Sequence, residues 1–213
     1  DEDGTFTAVQ TGRDVTGTLT VTYGETSCTL PVTVGSSQPF DDTKGHWAES
    51  YITELYYAGT LQGSEKNGKL YYRPDASMTR QEFIVAMMRY LGTDLSAYAS
   101  VQLPFDDSGS IASWAKSAMQ AAYQLGYLTG SKTNGKLLAK PGSTISRQEA
   151  MTILSRTKDF ADADLNVLSA FSDSGKIADW ARTALAQMTQ QKIISGSKGK
   201  LNPTGKVTRA EVA

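Results

Sequence analysis

The sequence predicts a mainly α-helical fold, three helix–turn–helix repeats behind a short β segment. Three observations carry this reading. A four-residue block recurs at Thr79-Arg80-Gln81-Glu82, Ser146-Arg147-Gln148-Glu149 and Thr208-Arg209-Ala210-Glu211. Apolar residues with helical spacing follow the first two blocks, and a second such run follows each of three Trp-Ala pairs. Residues 1–34 instead favour β-branched and aromatic residues in alternation around a glycine-containing turn.

The first 36 residues form one segment and residues 37–213 another. Thr18–Tyr23 and Ser27–Val34 flank Gly24-Glu25, a hairpin signal, and Thr5–Val9 reads as a further strand. Three strands are too few for a sandwich, so the segment reads as the tail of a larger β domain. Its wording, Thr-Val-Thr-Tyr-Gly-Glu followed by Val-Thr-Val, resembles the last strands of bacterial Ig-like domains. Cys28 is the single cysteine, which excludes an internal disulfide. Its strand position predicts a buried thiol. Residues 35–39, Gly-Ser-Ser-Gln-Pro, read as a linker.

From Phe40 the pattern is threefold. Phe40-Asp41-Asp42, Phe105-Asp106-Asp107 and Phe171-Ser172-Asp173 open the units, and Trp47, Trp114 and Trp180 follow. Sixteen residues after each tryptophan stands Gly-Ser, at Gly63, Gly130 and Gly196. A Gly-Lys-Leu triplet and a proline (Pro74, Pro141, Pro203) precede the four-residue block. The repeats run over about 39–103, 104–170 and 171–213. In the first, Trp47, Tyr51, Ile52, Leu55 and Tyr56 make a helical stripe that ends near Gly59. The second helix runs from Arg80 to Leu91 and stops at Gly92. The second repeat copies this, with its second helix reaching about Lys158. The third has barely begun its second helix at Ala213. The natural chain is therefore expected to continue with an apolar helical stretch, or another chain to cover Met87, Leu91, Ile153 and Leu154.

The recurring block is a capping box. The Ser/Thr oxygen accepts from the N3 amide, and the glutamate reaches back to the cap's own amide. Met78 with Phe83, Ile145 with Ala150 and Val207 with Val212 bracket the boxes as hydrophobic staples. The arginine at N1 is unexpected, because the positive end of the helix dipole disfavours a cation there. One reading has Arg80, Arg147 and Arg209 extend into solvent or pair with a carboxylate. The other has them hold an anion together with the Thr79, Ser146 and Thr208 hydroxyls and the helix-start amides. The threefold recurrence favours the second. Tryptophans near a helix start most often pack in a core; stacking on a sugar face is the alternative. Asp42, Asp107 and Asp173 are expected to cap the first helices, with sugar hydroxyls as a second possible partner. Lys69, Lys136 and Lys200 lie in the turns.

A formal net charge of −1 and the lack of a basic arm argue against general nucleic-acid binding. No run approaches the roughly 18 apolar residues that cross a bilayer, and Asp1 opens in polar sequence, so no signal peptide is read. One cysteine and one histidine exclude a Cys/His zinc site. His46, beside Trp47, is read as structural or exposed rather than as a base. The stretch from Asp106 lacks the twelfth-position glutamate of a calcium loop, with Ser117 there instead. No phosphate loop or nucleophile motif is present. The chain is expected to be no enzyme, with no cofactor and no metal.

The order Phe-x-Asp, Trp-Ala, Gly, Pro, Thr/Ser-Arg-x-Glu resembles the S-layer homology (SLH) domain, three in tandem over residues 40–213. Gln81 and Gln148 stand where that family's Thr-Arg-Ala-Glu has alanine. The resemblance implies a pseudo-threefold, three-pronged spindle with the capping-box helices in a central bundle. It also implies anchoring of a surface protein to a bacterial cell wall, commonly of Gram-positive type. The ligand it implies is a secondary cell-wall polysaccharide, commonly a pyruvylated N-acetylmannosamine unit, whose carboxylate suits Arg80, Arg147 and Arg209. Assembly with other surface-layer protein chains is the rival class.

Overall fold

The computed structural model describes residues 15–35 and 37–213, and it is helix-rich with small antiparallel strand pairs. The expected strand at Thr5–Val9 lies outside the described residues. The chain divides into two compact units. One reaches to Asp75 and takes in Arg209–Glu211 and Ala213; the other holds Ala76–Thr208 and Val212.

In the first unit, β1 (Val15–Tyr23) and β2 (Thr26–Val34) form the predicted hairpin, with Leu19 opposite Leu30 and Val21 opposite Cys28. The alternate positions are hydroxyl pairs, Thr20 with Thr29 and Thr22 with Ser27, the latter 3.0 Å apart. Cys28 is on the strand as expected but is exposed, not buried. Val21 and Leu30 beside it are also about half exposed, at 48% and 51%, so among the described residues no second layer lies over this two-stranded face.

Helix α1 (Glu49–Tyr57) begins two residues after Trp47. Its buried side is Ile52 and Thr53 with the preceding Ala48, while Tyr51, expected in the buried stripe, faces solvent. Gly59 follows at φ 75°, ending the helix as predicted. The turn region then holds a short hairpin, β3 (Ser64–Lys66) and β4 (Lys69–Tyr71). Asn67 and Gly68 have φ of 53° and 73°, the signature of a type I′ turn. Phe40 packs against this hairpin's end, its ring 5.0 Å from Tyr56 and 5.3 Å from Tyr72.

The second unit repeats these parts. Helix α2 (Arg80–Tyr90) packs against α3 (Lys116–Gln124), and α4 (Arg147–Ser155) against α5 (Asp179–Gln190). The second helix of one repeat thus pairs with the first helix of the next. Between them lies β5 (Ser131–Thr133) with β6 (Lys136–Leu138), closed by Asn134-Gly135. In the third repeat a single bridge, Ser197 to Lys200, does the same with a shorter turn. Of the three predicted capping boxes, those on α2 and α4 form: the Thr79 and Ser146 amides donate to Glu82 and Glu149 over 2.8 Å. The last helix, α6, spans Arg209–Val212.

The residues before the three boxes close on one another. The Met78 amide donates to the Val207 carbonyl (2.9 Å), Val207 to Ile145 (3.1 Å) and Ile145 to Met78 (2.9 Å). Each residue is at most 2% exposed. Three buried donors and three buried acceptors are therefore satisfied within one ring, which avoids the cost of orphaned backbone groups. The expectation that Met87 and Ile153 would lie uncovered at the chain end does not hold. They are 5% and 3% exposed, whereas Leu154 is half-buried and Leu91 stands open at 39%.

The Gly-Ser glycine exists to admit the phenylalanine that opens its repeat. A Cβ at Gly130 would lie 2.6 Å from Phe105 Cε1 and 3.1 Å from the Leu138 carbonyl oxygen, at φ +72°. Gly135 has a similar φ of +76° with nothing within 4 Å. Gly135→Ala should cost about 1 kcal/mol of backbone strain. Gly130→Ala should lose a further 1–3 kcal/mol or so from overpacking, read as a larger fall in thermal midpoint.

Candidate functional site

The arginines are not free cations at open helix starts. Arg80 is 9% exposed; its Nε donates to the Ala139 carbonyl (3.0 Å) and its Nη1 to Glu149 Oε1 (3.1 Å). Burial makes its proton easier to lose, and the Glu149 and Asp107 charges oppose that. Arg209 donates from Nε to the Tyr72 carbonyl (2.7 Å) and from its guanidinium to the Gln62 carbonyl (2.8 Å), stacked 4.5 Å from the Tyr72 ring. Arg147 is half-buried at the same place on α4.

The helix-start amides expected to join them are spent. Those of Arg80 and Gln81 donate to Ser143 and Pro141 carbonyls. Arg147 and Gln148 donate to Gly205 and Pro203, and Ala210 to Pro74. Backbone from another repeat occupies the ground an anion would need. The Thr79 and Ser146 hydroxyls are likewise engaged, donating to Glu82 and Glu149 over 2.7 and 2.6 Å. Thr208 sits in a bridge with Ser77.

The aspartates do not cap the first helices. Asp42 accepts the amides of Tyr72 and Arg73 (2.8 and 2.7 Å). Asp107 accepts those of Ala139 and Lys140 (2.8 and 2.7 Å), and Asp173 those of Leu201 and Asn202 (2.9 and 2.8 Å). Arg73, Lys140 and Asn202 have φ of 60°, 52° and 51°, a conformation unfavourable for arginine and lysine and better tolerated by asparagine. The carboxylate holds it, because two charge-assisted bonds outweigh the strain. The consequence reaches the arginine. The Ala139–Lys140 peptide gives its N–H to Asp107 and its carbonyl to Arg80, and the Tyr72–Arg73 peptide links Asp42 to Arg209 in the same way. Phe-x-Asp and the arginine block are two ends of one linkage.

The tryptophans are exposed, not packed in a core: Trp47 65%, Trp114 56% and Trp180 58%. Trp114 and Trp180 stand two residues after Ala112 and Ala178, whose amides donate to Gln81 (3.1 Å) and Gln148 (3.0 Å). Each glutamine follows a block arginine, so these tryptophan loops are fastened beside the arginine-bearing helix starts. His46 is structural: its Nδ1 accepts the Ala48 amide and Nε2 lies 3.3 Å from Asp75. Lys69 pairs with Asp41, which raises its pKa through their hydrogen bond.

Sequence reasoning missed Arg156. It caps α4, donates to the Tyr127 carbonyl (2.9 Å), and has its pKa lowered by desolvation and by the Arg80 charge. Two guanidiniums thus share one neighbourhood. No signal could have found it, since the position has no motif. Among the described residues no helix is long and apolar enough to cross a membrane, and no three His, Cys, Asp or Glu gather to hold a metal.

The family model of the S-layer homology domain matches residues 39–84, 104–151 and 170–213, more than half of the chain. This chain belongs to the S-layer homology family. The SLH region is similar to part of an amylopullulanase of Thermoanaerobacterium thermosulfurigenes, 28% identical over 91% of this chain but 10% of that protein. It is 29% identical to an endoglucanase of Bacillus sp. (strain KSM-635), over 82% of this chain and 18% of the relative. A surface-layer 125 kDa protein of Lysinibacillus sphaericus is 32% identical over 58% of this chain and 10% of its own length. This SLH chain therefore spans a tenth to a fifth of these relatives.

Burial alone would raise the Glu149 pKa, but the Ser146 hydroxyl and amide and the Arg80 charge bring it below the ordinary value of 4.5. A depressed pKa means that the ionised form stabilises the fold above about pH 4.5, and that this is lost as pH falls further. Glu149→Gln should be less stable at pH 7 and lose less stability between pH 5 and pH 3, followed by thermal melts.

Proposed function

We propose that residues 37–213 are a non-catalytic cell-wall anchoring module. It binds secondary cell-wall polysaccharide, through pyruvylated N-acetylmannosamine units, and tethers a surface protein outside a Gram-positive type envelope. The observation that carries this reading is the three exposed tryptophans at one position of each repeat. An indole face left in water at that cost suits stacking on a sugar ring, and the Trp114 and Trp180 loops are fastened to the residue that follows a block arginine. Arg80, Arg147 and Arg209 supply the positive charge that a pyruvate carboxylate would meet, with Arg156 reinforcing Arg80. Thr79, Ser146, Thr208, Asp42, Asp107 and Asp173 act by holding those arginines and turns in place. The relatives' names, two polysaccharide-degrading enzymes and a surface-layer protein, support attachment of different cargoes by one module. The ring through Met78, Ile145 and Val207 supports the three-pronged, pseudo-threefold spindle that the family resemblance implies.

Trp114→Ala and Trp180→Ala should each weaken binding to purified cell-wall sacculi by about ten-fold, a loss of about 1.4 kcal/mol, with unchanged melts. Removing the polymer's pyruvate should abolish binding by the parent chain. Unchanged binding after both treatments would favour assembly with other surface-layer chains instead. Arg80→Ala is a poorer probe than its motif suggests, because it strands a partly buried Glu149 and should destabilise the fold by up to about 3–5 kcal/mol.

A further inference from the structure

One amide is held in every repeat, the one two residues before the tryptophan, and the means differ. In the first repeat Gly45 donates to Glu49 Oε2 over 2.7 Å, within its own loop. The positions matching Glu49 in the other repeats are Lys116 and Arg182, which have no acceptor to offer. There the oxygen comes from another repeat: Gln81 takes the Ala112 amide and Gln148 takes the Ala178 amide. Ala112 and Ala178 are the cap residues of the helical turns that follow, and neither has a side-chain oxygen of its own. The glutamines thus supply in trans the half of a capping box that normally comes from the N3 glutamate. The third block has Ala210 at this position, matching the one tryptophan loop that already has its own acceptor.

We infer that Gln81 and Gln148 are positioning residues that hold the Trp114 and Trp180 loops against the arginine-bearing helix starts, so that indole and guanidinium meet one ligand together. Their role in binding rests on the polysaccharide reading above; the latch itself does not. Gln148 is 8% exposed, and its replacement by the alanine found at position 210 keeps helix propensity while removing the acceptor.

The test uses the whole chain with Gln81→Ala, Gln148→Ala and Gln81→Glu, the last restoring an acceptor of the kind Glu49 provides. Amide exchange by NMR needs no ligand. Gln81→Ala should speed exchange of the Ala112 amide by about ten-fold and leave Ala178 unchanged. Gln148→Ala should do the reverse, and Gln81→Glu should return Ala112 to the parent rate. Acrylamide quenching of Trp114, with Trp47 and Trp180 replaced by Phe, should rise in Gln81→Ala only. Binding to sacculi should weaken three- to ten-fold or so in both alanine variants and recover in the glutamate variant. Unchanged Ala112 exchange in Gln81→Ala overturns the latch. Faster exchange with unchanged sacculus binding overturns its role in positioning. If Trp114→Ala and removal of the polymer's pyruvate both leave sacculus binding unchanged, the polysaccharide reading fails, and amide exchange still decides the latch.

Discussion

Three backbone hydrogen bonds in a closed circuit, Met78 to Val207 to Ile145 and back to Met78, set the terms for the unit formed by residues 76–208. Each repeat brings to that circuit one extended residue with a donor and an acceptor, and neither group has a partner inside its own repeat. Buried and unpaired, such groups would each cost about 1–3 kcal/mol. A repeat folding alone would have to leave them wet, so the fold favours having all three present. The circuit also fixes where each capping-box helix begins, because the cap residue is the next one along. From there the first two amides of α2 and α4 meet carbonyls of the following repeat's turn.

That geometry decides what the arginines can do. With the helix-start amides satisfied by backbone, the dipole end is already answered, and the cation at N1 loses most of its electrostatic penalty. The guanidinium is then held by the Ala139 carbonyl, whose peptide is itself pinned at the Lys140 N–H by the Phe-x-Asp carboxylate. Positive charge is thereby fixed to the scaffold rather than carried on a mobile side chain, which would lower the entropy lost in the anion binding proposed above. The tryptophans show the same economy. Their loops are held at one amide each, while the indoles stay in water.

The elements governed by local rules were readable in the sequence. The capping boxes at Thr79 and Ser146, the stop at Gly59 and the hairpin around Gly24 all follow from a few adjacent residues. The β3–β4 and β5–β6 hairpins were equally local: Asn67-Gly68 and Asn134-Gly135 announce type I′ turns. Each strand is only three residues long, too short for the alternation that marks a strand in sequence. Features that depend on partners from another repeat could not be read. Asp107 looks like a helix cap until Ala139 and Lys140 are seen beside it. Pairing of Arg80 with a carboxylate is one of the readings its sequence allows, but only the fold shows that the partner is Glu149 of the next repeat, 3.1 Å away. Trp47, Trp114 and Trp180 were misjudged because tryptophan's size argues for burial, and no property of one repeat shows which face its neighbours leave uncovered.

If the three turns close as one cooperative circuit, native-state amide exchange of Met78, Ile145 and Val207 reports it. All three amides should exchange with the same free energy, equal to that of global unfolding and equally sensitive to denaturant. One of them exchanging through a local, denaturant-insensitive opening while the other two stay protected would contradict it.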